Sequence, residues 1–122
     1  MEILFQKLRE VNYANLDVDE LLDNRDCKVF DSEWGRVYKE VEKLKKDSGY
    51  TSEQKKHNGV IREKAFKVVY ELSGNGELAE YISDDFGLIA DSQSLAYSDE
   101  WFDKLIDCYK NAEIPCGDLT DK

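Results

Sequence analysis

Residues 77–117 read ELAEYISDDFGLIADSQSLAYSDEWFDKLIDCYKNAEIPCG, and this stretch decides the fold class. Leu78, Ile82, Phe86 and Ile89 recur at helical spacing, with Tyr81 and Leu88 beside them, so 77–95 is predicted to be a helix with one apolar face. Asp85 falls inside that apolar arc, and Gly87 weakens the helix enough to allow a kink or break. A second helix follows, with Ser98 as its expected cap and Asp99 and Glu100 in its first turn. Trp101, Phe102, Leu105, Ile106, Cys108 and Tyr109 span one side of it, while Asp99, Asp103 and Asp107 share the other at i, i+4, i+8. Pro115 and Gly117 close the helix, and 117–122 is expected to fray.

Upstream, the same period recurs. Thr51 and Gln54 match a capping box and open a helix that runs to Ser73 and stops at Gly74-Asn75-Gly76. Ile61, Ala65, Val68, Val69 and Leu72 form its stripe, and Phe66 and Tyr70 widen it past half the circumference, which places this helix at the centre of the bundle. Ser32 to Lys46 is another helix, its apolar face made by Trp34, Val37, Tyr38, Val41 and Leu44. Residues 2–14 form a first helix on Leu4, Phe5, Leu8 and Val11, and 15–24 a short second one with Asp17 as N-cap. Cys27 to Phe30 is too short to assign. The expectation is an all-α chain: one compact bundle of five to six helices over 1–122, with no internal linker.

Composition narrows the function. Apolar residues make up 41% of the 122 and charged residues 36%, arranged periodically, so the chain folds. The net charge of −10 disfavours direct binding to phosphate backbones. That charge is unevenly placed: residues 77–122 hold 12 acids and three bases, while 1–76 hold 15 acids and 14 bases. The start, MEILFQKLREV, lacks the apolar run of a signal peptide, and no stretch is long and apolar enough to span a bilayer, so a cytoplasmic protein with reduced thiols is expected.

Motifs for chemistry are missing. The 12-residue window from Asp23 lacks the glycine and terminal glutamate of a calcium loop. His57 is the single histidine, and neither HExxH nor paired CxxC occurs. Asp85-Phe86-Gly87 spells a kinase tripeptide with no glycine-rich or catalytic loop around it. No metal, cofactor or catalytic residue is expected. Asp85, on an apolar arc, must be paired, hydrogen-bonded or carried on a distorted turn.

The acidic ladder Asp99–Asp103–Asp107, joined by Asp84, Asp85 and Asp91 on the preceding helix, can be read in three ways. It is a solvated face, a surface for a basic partner, or a counterweight to the basic middle, where residues 33–72 carry ten bases and seven acids. Tyr97 and Tyr109 stand beside it as candidate anchors. The segment YISDDFGLIADSQSLAYSDEWFDKLIDCYKNAEIPCG resembles immunity proteins of bacterial contact-dependent growth inhibition and related polymorphic toxin systems. That resemblance implies a non-enzymatic protein that binds and neutralises the toxin domain of its own system, a basic nuclease being the expected class. The alternative is an intracellular helical adaptor or regulatory subunit for another basic protein.

Overall fold

The computed structural model describes residues 1–119, and among them the chain forms six α-helices, one 3₁₀ turn and no strand. The helices are α1 (Glu2–Glu10), α2 (Val18–Asp26), α3 (Lys28–Asp47), α4 (Ser52–Ser73), α5 (Gly76–Ser94) and α6 (Glu100–Lys110), with the 3₁₀ turn at Tyr13–Asn15. The unassigned piece from Cys27 is the N-cap and first turn of α3, which begins at Lys28, four residues before the expected Ser32, with Phe30 buried in its first turn.

The ends of the helices follow their side chains. Asp17 caps α2 by accepting from the Glu20 N–H at 3.1 Å. Thr51 and Gln54 exchange both bonds of a capping box at α4. Gly74 adopts the left-handed conformation (φ 68°) that ends α4, and Asn75 then caps α5 through Leu78 N–H. At α6 the cap is Asp99, not the expected Ser98: the Asp99 carboxylate accepts from Phe102 N–H at 2.9 Å.

The central helix is α5. Eleven of its 19 residues are buried, against four of the 22 in α4. The apolar width of α4 misleads because Val60, Tyr70 and Leu72 on it face solvent. What makes α5 central is a row of small residues, Ala79, Ser83 and Gly87, buried at i, i+4, i+8. Against this row α4 packs closely. Ser83 donates to the Arg62 carbonyl at 2.9 Å, and a Cβ on Gly87 would lie 2.5 Å from Arg62 Cδ. Gly87 therefore admits a neighbour rather than bending the helix, and α5 runs through it unbroken.

On the other side of α5, Leu78, Ile82, Phe86 and Ile89 are wholly buried with Leu8, Val37, Val41, Phe102 and Leu105. Phe86 meets Phe5 and Tyr109 with ring centroids 5.2 and 5.1 Å apart. The expected fraying from 117 does not begin there: Gly117 N–H donates to the Asn24 carbonyl and Leu119 is buried. Residues 120–122 lie outside the described part.

Candidate functional site

Asp85 sits on α5 with no solvent exposure, and four donors converge on its carboxylate. Arg25 of α2 grips it bidentately at 2.7 and 2.8 Å, Trp34 Nε1 of α3 donates at 2.9 Å, and Tyr109 of α6 donates its hydroxyl. Arg25 also donates to the Pro115 carbonyl at 3.1 Å, and its guanidinium lies 4.6 Å from the Phe30 ring centroid. Burial alone would lower the Arg25 pKa, but the Asp85 charge and hydrogen bonds raise it overall, so the guanidinium stays charged. Burial, with the Asp85 charge behind it, pushes the Tyr109 hydroxyl well above its ordinary value, so it remains a donor.

Both Asp85 oxygens are thus occupied by donors of the chain itself, and neither Asp85 nor Tyr109 reaches the surface. A general acid or base needs access to a substrate proton, and a partner contact needs an exposed group. Asp85 and Tyr109 offer neither. With Arg25 and Trp34 they form a tetrad, a cross-brace joining α2, α3, α5 and α6. Arg25 is not singled out by the sequence, although it stands four residues after Leu21 and three after Leu22, the spacing that brings it inward with them.

The remaining α5 carboxylates are also engaged. Asp84 pairs with Arg62 at 2.6 Å near the surface, and its pKa is raised chiefly by partial burial. Asp91 accepts from Lys45, Tyr50 and the buried Asn58. Burial would lower the Lys45 ammonium, but hydrogen bonds to Asp91 and Glu42 lift it to about 12. Asp99 combines its capping role with a bidentate bond from Arg36 at 2.8 and 3.2 Å, and that arginine holds its carboxyl below the ordinary range. Tyr97 is half-buried and donates to Glu40.

Asp103 and Asp107 differ from all of these. Both are exposed on α6, and among the described residues neither forms an ion pair. With Met1, Ile3 and Ile106 they border a shallow depression between α1 and α6. Ile3 is 66% exposed, which puts a large apolar side chain beside the two charges. Of the eight predicted partner-facing residues, then, these two point outward and form no ion pair among the described residues, with Lys110 on the same rim.

Among the described residues no group of His, Cys, Asp and Glu side chains is arranged to hold a metal ion. His57 lies exposed on α4. No helix there is long and apolar enough to cross a membrane.

The model of one protein family, described as "Immunity protein PIM1", matches residues 3–116. None of the curated proteins matches the chain. None of the solved structures does either.

Proposed function

The chain belongs to the immunity protein PIM1 family, and from that premise we propose that it binds the toxin domain of its own bacterial system and neutralises it without catalysis. The toxin is a nuclease with a basic substrate cleft, delivered in a contact-dependent or related polymorphic toxin system, and the complex forms in the cytoplasm. The observation that carries this reading beyond the family is the outward pair Asp103 and Asp107, which form no ion pair among the described residues, although Lys110 borders the same depression. On a molecule of net charge −10 they add to a field that draws in a basic partner.

Like charges at i, i+4 cost a helix a few tenths of a kcal/mol. A partner bringing lysine or arginine to the two carboxylates removes that repulsion. The neighbouring Ile3 supplies apolar area that such a contact would cover. The enzyme reading has no support at Asp85, whose oxygens are closed off. The adaptor alternative gains nothing from the geometry that the family membership does not explain better.

The test is co-expression with the product of the adjoining open reading frame, followed by purification of the pair and a growth-protection assay. A 1:1 complex whose association slows steeply with added salt is expected. Cells that die despite abundant folded protein would sink the proposal.

A further inference from the structure

Between α2, α3 and α5 lies a cavity of about 160 Å³ walled by Phe30, Trp34 and Tyr81, rimmed by Asp26, Asp31 and Asp84, with Arg25 in its lining. Sites for small molecules occupy roughly 300–1,000 Å³, so this one suits a side chain better than a metabolite. We infer that it receives the side chain of an arginine or lysine projecting from the cognate toxin, an inference that rests on the immunity function proposed above.

Three observations lead there. The rim is acidic and incompletely neutralised: Asp84 has Arg62 and Asp26 accepts from Tyr81 at 2.9 Å, but Asp31 is exposed with no ion pair among the described residues. The walls are aromatic, and the chain already uses them for a guanidinium, since Arg25 Cζ lies 4.6 Å from the Phe30 centroid and 5.5 Å from that of Tyr81. Arg25 does not repel a second cation, because its charge is matched by Asp85. The third observation is that Arg25 is 4% exposed and its Nε–H has no acceptor. A buried donor left without a partner is unfavourable, and a docking segment brings main-chain carbonyls that can supply one. Trp, Tyr and Arg are the residues enriched at binding hot spots, where they cluster in desolvated pockets.

The cavity and the α6 ladder predict different kinetics. A charge seated in a pocket governs dissociation, whereas outlying charges govern approach. The experiment measures association and dissociation rates of the full chain with the toxin domain from the adjoining open reading frame, for wild type, Asp31→Lys and Asp31→Asn. Each arginine and lysine of the toxin is also replaced by alanine in a double-mutant cycle with Asp31→Asn, and melting temperature monitors folding. Asp31→Lys is expected to dissociate about tenfold faster or more at unchanged melting temperature. One toxin arginine or lysine should couple to Asp31. If wild type binds, yet both variants dissociate within about twofold of it and no toxin residue couples, the cavity is not the seat, while the immunity function stands. Should wild type neither bind nor protect, the function itself fails and this inference with it.

Discussion

Helices α5 and α6 carry the same residue type at similar density and put it to opposite uses. On α5, Asp84, Asp85 and Asp91 are each held by a base from another helix: Arg62, Arg25 and Lys45. On α6, Asp103 and Asp107 face water with no such base among the described residues. The cause is position. The α5 helix is central, so its polar groups meet other helices and must be satisfied there. The α6 helix lies at the edge, with Trp101, Phe102, Leu105 and Tyr109 turned inward, and its opposite side is left for solvent or a partner. A count of carboxylates along the C-terminal third therefore overstates the surface available for binding.

The contrast is most easily broken at Asp85. Replacing it with alanine strands the Arg25 guanidinium in the core, and a loss of about 3–5 kcal/mol of stability is expected, read by chemical denaturation. A loss under about 1 kcal/mol would mean that the tetrad braces nothing. On α6 the double reversal Asp103→Lys with Asp107→Lys is expected to leave stability within about 0.5 kcal/mol. It should slow association with the toxin about tenfold at low salt, and a double variant that associates and protects as well as wild type would remove the ladder from the interface.

Asp99 lies between the two extremes: its side chain is partly exposed, caps α6 and is paired with Arg36. Asp99→Ala loses both roles and should cost about 1–2 kcal/mol, while Asp99→Asn keeps the cap and loses the charge. Because the folded carboxyl titrates below its unfolded value of about 3.9, the pair's contribution is present above that value. It is lost as the pH falls through the folded value. The stability gap between wild type and Asp99→Asn should accordingly be full at neutral pH and close in acid; a gap unchanged in acid would deny the Arg36 pairing a role.

The smallest effect is expected at Gly87. A Cβ there displaces the Arg62 side chain, which is exposed enough to swing outward, while alanine raises helix propensity by about 1 kcal/mol. The two terms oppose each other, so Gly87→Ala should change stability by less than about 1 kcal/mol. It should also detach Arg62 from Asp84, visible by NMR as a shift of the Asp84 carboxyl.

The helices were readable because their signals are local. The capping box at Thr51, the Asp17 cap, the stop at Gly74 and the stripes of α3, α5 and α6 each lie within a few residues. The α4 stripe is apolar as expected but does not make α4 the most buried helix, since apolar width does not say which helix is surrounded. The small-residue row Ala79, Ser83, Gly87 was the better signal, because close approach of a backbone needs small side chains. By itself, then, the order of residues determined an all-α bundle, several of its helix caps and an acidic C-terminal third. Only the tertiary structure decided which carboxylates are neutralised, because Arg25 and Asp85 are 60 residues apart and Arg36 and Asp99 are 63 apart. Helical periodicity relates residues a turn or two apart, and a charge pair across the bundle exists only once the helices have packed.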